Sequence, residues 1–133
     1  MERTAVMAEF SLEGVNLPPE VVTEKLGLEP TTIWRKGDVS KLSRKRYLVS
    51  RWQFGTGYME SLAVEDQLRK LIDVFGSKVE TINQLSKEWE AEVFVNIAIE
   101  IEDKESPSVY LDRETIEFIH KSGAVVDIDI IVV

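Results

Sequence analysis

The spacing of apolar and polar residues predicts four β-strands. Residues 4–12, 92–102 and 125–133 alternate between apolar and polar side chains, which is typical of strands because their successive side chains point to opposite faces. Residues 46–54 are rich in Tyr, Val, Trp and Phe and also favour a strand. The clean alternation over 92–102 indicates one face in a core and one in water, and hence an antiparallel or mixed sheet.

Between these segments, apolar residues recur with the period of an α-helix. Leu68, Leu71, Ile72 and Phe75 form one such stripe, and further helical spacing follows it. The resulting order of elements is β-α-β-α-β-α-β. It predicts an α+β fold with a single open four-stranded, mainly antiparallel sheet, helices packed on one face and a ferredoxin-like order of elements. Residues 1–133 are expected to form a single domain, since this length suits one core.

Capping residues give the expected ends of the helices. Gly27 and Gly123 are expected to end the first and the last helix, because glycine adopts the left-handed conformation without steric cost. Asn16, Ser61 and Asp112 are expected to cap the starts of three helices through their side-chain oxygens. The chain that follows Gly27 is therefore predicted to leave the helical conformation.

The segment around the first helix end resembles a known bacterial family. The sequence KLGLEPTTIWRKGD at 25–38, followed by SRWQF at 50–54, is similar to the family catalogued as domain of unknown function 4279. The similarity covers most of the chain and includes the first strand and helix, the helical region 61–89 and the final VDIDI strand. The resemblance implies the same α+β fold and assigns no catalytic residue.

Charge is distributed unevenly along the chain. The net charge is −8, but residues 35–51 alone carry +6, which leaves −14 for the rest. The cations of this segment are Arg35, Lys36, Lys41, Arg44, Lys45, Arg46 and Arg51. An acidic chain repels nucleic acid at long range, so a nucleic-acid partner is not expected. The basic segment suits an acidic protein or a small anion, and a solvated loop that balances the acidic surface is the alternative.

Trp34 precedes the basic segment and, with its cations, forms the candidate binding site. It lies beside Arg35 and Lys36 in a stretch without helical spacing. Its ring either anchors the loop on the body of the protein or forms the aromatic wall of a binding groove. Gly37 is expected to adopt a positive φ angle in a turn that Asp38 completes.

One face of the sheet is expected to be polar, subject to the register of the strands. Its predicted polar members are Glu9, Arg51, Gln53, Asn96, Glu100, Asp127 and Asp129. Four apolar residues would lie among them, namely Tyr47, Val49, Phe94 and Ala98. This face therefore suits a homodimer or another protein partner better than catalysis, with a plain wet surface as the alternative. Trp52 shares a strand face with Leu48 and Phe54 and is expected in the core.

The sequence offers few groups for catalysis. Cysteine is absent, and the single histidine, His120, gives neither a histidine zinc motif nor a Ser-His pair. Asp127 and Asp129 are the best carboxylate pair, since two residues apart on a strand they lie on one face, roughly 7 Å apart. Such a pair suits a divalent cation or acid-base work, but no third ligand is visible. A charged strand edge that resists aggregation is the alternative, and no cofactor is expected.

Three hypotheses of function follow. The leading one is a non-catalytic protein-binding module, of which a homodimer and a toxin-neutralising, immunity-like protein are two forms. The second is a small-anion or nucleotide sensor that uses Trp34 and the basic segment. The third is a metal-assisted hydrolase around Asp127 and Asp129. The N-terminal residues lack the pattern of a signal peptide, and no apolar run spans a membrane, so a cytoplasmic protein without a membrane partner is expected.

Overall fold

One mixed β-sheet organises the chain. The computed structural model describes residues 3–133. The strands are β1 (Ala5–Gly14), β2 (Thr32–Trp34), β3 (Ser50–Gly55), β4 (Met59–Glu60), β5 (Glu92–Ile101) and β6 (Ala124–Val132). The helices are α1 (Pro19–Leu26), α2 (Val64–Phe75), α3 (Val79–Trp89) and α4 (Arg113–Ser122), and a 3₁₀ turn (Gly76–Lys78) joins α2 to α3. None of the helices within this described range is long and apolar enough to cross a membrane.

The strands lie in the order β2-β3-β1-β5-β6, and β4 pairs with the free start of β1. Strand β1 is antiparallel to β3, β4 and β5, and β2 is antiparallel to β3. Strand β6 is parallel to β5, because α4 carries the chain back along the sheet between them. The polypeptide therefore has β2 at one edge of the sheet and β6 at the other.

Strands β3 and β4 pair with the same edge of β1, one after the other, and a β-bulge separates them. Glu9 pairs with Gly55 and Val6 with Met59, so three steps along β1 face four steps along the other strand. The surplus residue lies next to Gly57, whose φ angle of 77° is one that glycine adopts readily.

The α+β fold class is confirmed, but the predicted four-stranded ferredoxin-like sheet is not matched. The sheet formed within residues 3–133 is mixed and has six strands. Strands β2 and β4 contain three and two residues, which is too short for a visible alternation. Strand β6 runs parallel to β5 because of the α4 crossover. The alternation of apolar and polar side chains along a strand does not indicate its direction in the sheet.

The core lies between one face of the sheet and the helices. Phe10 on β1 is fully buried and stacks on Phe75 of α2, with ring centroids 4.2 Å apart. Trp52 is also fully buried, as expected, and its Nε1 donates to Thr23 Oγ1 of α1 at 3.0 Å. The prediction that Leu48 shares this core is wrong, because β3 begins only at Ser50 and leaves Leu48 exposed.

Three of the five predicted helix ends are confirmed. Gly27 and Gly123 end α1 and α4 with φ angles of 68° and 70°. Asp112 caps α4, since its Oδ1 accepts from the backbone N–H of Thr115 at 2.8 Å.

The predicted caps at Asn16 and Ser61 are wrong. Helix α1 starts after Pro18 without a side-chain cap, because prolines in its first turn remove backbone donors that a cap would satisfy. Helix α2 starts after Ala63, and the Ser61 hydroxyl accepts from the Ala63 N–H at 3.0 Å in the preceding turn.

Candidate functional site

The basic segment folds into a hairpin that projects from the β2 edge of the sheet. We call residues 35–47 the basic hairpin. Val39 and Arg46 form an antiparallel bridge between its arms. The Ser40 N–H donates to the Lys45 carbonyl and the Tyr47 N–H to the Asp38 carbonyl, both at 2.8 Å. The tip of the hairpin, residues 41–44, is therefore held on two defined arms.

A tight turn fixes the start of the basic hairpin. Gly37 has a φ angle of 94°, and Asp38 Oδ2 accepts from the Arg35 N–H at 2.8 Å. These contacts confirm the predicted turn at Gly37 and Asp38. The Lys36 N–H donates to Ser50 Oγ at 2.9 Å, which ties the turn to the first residue of β3.

Trp34 lies at the end of β2 and packs against the basic hairpin. Its ring stacks on that of Tyr47, with centroids 4.3 Å apart and an angle of 9° between the planes. The guanidinium carbon of Arg51 lies 5.5 Å from the centroid of the Trp34 ring. Trp34 and Tyr47 also line a cleft of about 380 Å³ together with Lys41 and Leu42 of the hairpin tip. Trp34 thus makes the contact expected of an anchor on the hairpin, and its ring also lines this cleft.

The structure separates the predicted cations into three groups. Arg35 forms an ion pair with Glu20 of α1 at 3.2 Å, and Arg46 Nη1 donates to the Gly37 carbonyl at 2.8 Å. Arg51 lies on the sheet. The remaining four cations are exposed on the basic hairpin, and their own side chains form no hydrogen bond or ion pair with the described residues; these four are Lys36, Lys41, Arg44 and Lys45.

Arg51 is the centre of a network on the helix-free face of the sheet. Its Nη2 donates to Ser11 Oγ at 2.9 Å and its Nε to Gln53 Oε1 at 3.1 Å. Its Nη1 lies 3.5 Å from Glu13 Oε2, and its guanidinium carbon lies 5.5 Å from the Phe94 ring centroid. These contacts occupy the guanidinium, so Arg51 positions its neighbours, whereas the exposed cations of the hairpin face solvent.

The register brings the predicted polar residues of this face together. Glu9 pairs with Asn96, which pairs with Asp127, so these three residues lie side by side across β1, β5 and β6. Burial raises the pKa of the Glu9 carboxyl, Arg51 opposes this effect and Asp129 adds to it. Burial also raises the pKa of the Tyr58 hydroxyl, with smaller contributions from nearby carboxylates that include Glu9 and Asp129.

Asp127 and Asp129 share the helix-free face, as the alternation predicts, and both are exposed. Between residues 3 and 133, no group of three or more His, Cys, Asp or Glu side chains is arranged to hold a metal ion. The carboxylate pair therefore has no further ligand of these types within the described chain.

Leu42 at the hairpin tip is a feature that the sequence reading missed. Its side chain is 98% exposed, between Lys41 on one side and Arg44 and Lys45 on the other. The signal in the sequence was a single large apolar residue inside a basic run, away from any strand or helix pattern. Tyr47 was assigned to a strand, and its stacking partner could not be deduced without the hairpin.

The comparisons with known proteins give a family match. A family model described as "Domain of unknown function (DUF4279)" matches residues 4–133, in agreement with the resemblance of residues 25–38. No curated protein and no solved structure matches the chain. The matched segment includes every strand and helix of the fold and the whole basic hairpin.

Proposed function

The chain belongs to the DUF4279 family, whose domain is of unknown function, and we propose from its surface that it is a non-catalytic protein-binding module. Its contact surface is the basic hairpin, and its partner presents an acidic surface with an apolar pocket. Neutralisation of a toxin is one form of this function. The observation that carries the proposal is the fully exposed Leu42 at the tip of a braced basic hairpin.

Leu42 and its flanking cations supply two complementary contributions to binding. Burial of an exposed Leu side chain in a partner contributes about 2 kcal/mol, because apolar surface leaves water. The hairpin is already ordered by its backbone hydrogen bonds and by the stack of Trp34 on Tyr47. Binding therefore requires little further ordering of the loop, which favours affinity.

Charge orients the approach of the proposed partner. Residues 35–51 carry +6, and the rest of the chain carries −14. An acidic partner is attracted to the hairpin and repelled by the remaining surface, so it reaches the hairpin end first. Such steering predicts an association rate that falls as salt concentration rises.

A small anion or nucleotide that binds beside Trp34 is the second candidate. The observation that favours it is the cleft of about 380 Å³, which has the Trp34 and Tyr47 rings and Lys41 among its lining residues. A ligand there would change the fluorescence of Trp34 and raise the unfolding temperature. A protein partner that binds through Leu42 does not require this cleft.

An affinity pull-down from the native host's lysate tests the leading proposal. The test variant is Lys41→Glu, Arg44→Glu and Lys45→Glu. The control variant is Lys70→Glu, Lys87→Glu and Lys104→Glu, which changes the net charge equally at three exposed lysines outside the hairpin. Both variants are checked for folding by circular dichroism.

We expect one protein to be recovered in near-stoichiometric yield by the wild type and the control variant, and to be lost with the test variant. A second variant, Leu42→Asp, should lose the same protein. Equal recovery by all forms would show that the basic hairpin is not the contact surface. A thermal-shift and fluorescence screen with inorganic phosphate and nucleotides would then address the second candidate.

A further inference from the structure

Strand β6 ends the sheet opposite the basic hairpin, and no strand within residues 3–133 pairs with its outer backbone edge. It has nine residues, and β5 is its neighbour on the inner side. The Val133 N–H donates to the Ile101 carbonyl, so the odd-numbered residues of β6 direct their backbone groups towards β5. Backbone groups alternate in direction along a parallel strand, and the even-numbered residues 126–132 therefore direct theirs outwards.

The same even-numbered residues expose apolar side chains. Three of them pair with buried residues of β5, and Val132 pairs with the partly buried Ile101. All four therefore lie on the helix-covered side of the sheet. Their exposure nevertheless rises along the strand, from 40% at Ile128 to 58% at Ile130 and 74% at Val132. The helices thus leave the C-terminal half of β6 uncovered, beside its outer backbone edge.

The edge of β6 has few of the features that prevent strand pairing. It contains neither proline nor lysine, and its charged residues are Asp127 and Asp129, both on the helix-free face. An open edge with apolar side chains is a template for a further strand. That strand must supply an outward-facing backbone edge and an apolar surface on the same side of the sheet.

We propose that β6 pairs antiparallel with β6 of a second copy of this chain, around a twofold axis at Ile130. A second copy supplies both features by symmetry, because its own even-numbered residues present the same backbone edge and side chains. In this register Ile130 faces Ile130 of the second copy, and Ile128 faces Val132. The six side chains join in one apolar cluster on the helix-covered side.

The two aspartates select this register. With the axis at Ile130, Asp129 faces Ile131 and Asp127 faces Val133 of the second copy. With the axis at Ile128, Asp127 would face Asp129 twice, in non-hydrogen-bonded pairs with Cα atoms only about 4.5 Å apart. With the axis at Asp129, this residue would face itself. Like charges directly opposite each other destabilise a strand pair, so the register at Ile130 is preferred.

The dimer would place the two basic hairpins at its far ends. The joined sheet runs from β2 of one copy to β2 of the other, across nine strand intervals or roughly 43 Å. The pairing of β6 does not rest on the function proposed for the hairpin, since it uses the opposite edge of the sheet. If both hold, the dimer is a bivalent binder.

Sedimentation velocity over a range of protein concentrations tests the dimer. We expect the wild type to reach twice the 15.2 kDa mass of one chain. Ile130→Lys places two like charges together at the axis and should give a monomer. Ile131→Lys is the matched control at a neighbouring site, 51% exposed, where the lysine would face Asp129 of the second copy and the dimer should persist. Circular dichroism verifies the folding of both variants.

Cysteine cross-linking tests the register, since the chain has no cysteine of its own. Ile130→Cys should form a disulfide-linked dimer on mild oxidation, because directly opposite residues have Cα atoms within bridging distance. Ile128→Cys should not, because its equivalent lies four residues further along the opposite strand. A wild type that stays monomeric at every concentration, a dimer that survives Ile130→Lys, or a cross-link at 128 in place of 130 would overturn the proposal.

Discussion

Trp34 and Tyr47 stack almost parallel at a centroid distance of 4.3 Å, although 13 positions separate them in the chain. Trp34 ends β2, and Tyr47 lies on the returning arm of the basic hairpin, so the stack closes the base of the hairpin. This contact connects the sheet to the hairpin, which carries six exposed cations within 13 residues.

Tyr47→Ala should loosen the hairpin without unfolding the sheet. Loss of the stack removes about 1 kcal/mol beyond the loss of buried area. Because the lost buried area adds to this, backbone amides of the hairpin, such as Ser40 N–H, should exchange with solvent at least about fivefold faster in hydrogen-exchange measurements. Tyr47→Phe keeps the ring and should exchange like the wild type. Unchanged exchange in Tyr47→Ala would mean that the backbone hydrogen bonds alone hold the hairpin.

Arg51→Met should destabilise the protein by about 2 kcal/mol, because it removes donors from Ser11 and Gln53 and leaves Glu13 without its cation. Chemical denaturation monitored by tryptophan fluorescence measures the change. Arg51→Lys should recover less than half of the loss, since an ammonium group cannot reproduce the planar, multidentate contacts of the guanidinium. Full recovery by lysine would show that charge alone matters at this position.

Glu9→Gln should stabilise the protein at neutral pH. Burial raises the pKa of the Glu9 carboxyl above its ordinary value, so its ionised form is disfavoured in the folded state. The protonated carboxyl makes its full contribution to the free energy of unfolding below the ordinary pKa of glutamate. That contribution is lost as the pH rises through the pKa that Glu9 has in the folded state. The advantage of Glu9→Gln should therefore appear at neutral pH and vanish in acid, as thermal unfolding at several pH values can establish. A gain independent of pH would contradict this explanation.

Asp112→Asn should show the opposite dependence on pH. Hydrogen bonds from Thr115 lower the pKa of the Asp112 carboxyl, and Arg69 lowers it further. The ionised carboxylate thus stabilises the fold above its ordinary pKa, and this stability is lost as pH falls through the folded pKa. Thermal unfolding should find the variant less stable than the wild type at neutral pH and equal to it in strong acid. Asp103→Asn, at an exposed loop position, serves as the control.

The sequence predicted the elements whose signals are local. The alternation of β5, the glycine ends at Gly27 and Gly123 and the cap at Asp112 were all found, because each depends on one strand or one helix turn. Strand β2 was missed because three residues show no period. Leu48 was wrongly placed in the core, because the expected start of β3 belongs to the basic hairpin and the chain that follows it. The backbone hydrogen bonds that form this hairpin leave no local pattern in the sequence.

The candidate site was predictable in composition but not in arrangement. The cations and Trp34 are visible in the sequence, and the turn at Gly37 was expected. The different roles of Arg51 and the hairpin cations depend on the register of β2, β3 and β1, which brings Arg51 between Trp34 and Glu13. Long-range register of this kind is set by the whole sheet, so no local pattern reports it.

The bulge between β3 and β4 bears on how the length of this chain can vary. Between the pairs Glu9–Gly55 and Val6–Met59, the three residues 56–58 face only two residues of β1, which is one more than a regular ladder needs. A relative that lacks one residue between 56 and 58 would restore a regular ladder and keep Val6 opposite the equivalent of Met59. Insertions and deletions at residues 56–58 are thus expected to be tolerated, because the strand pairs on both sides and the core would keep their register.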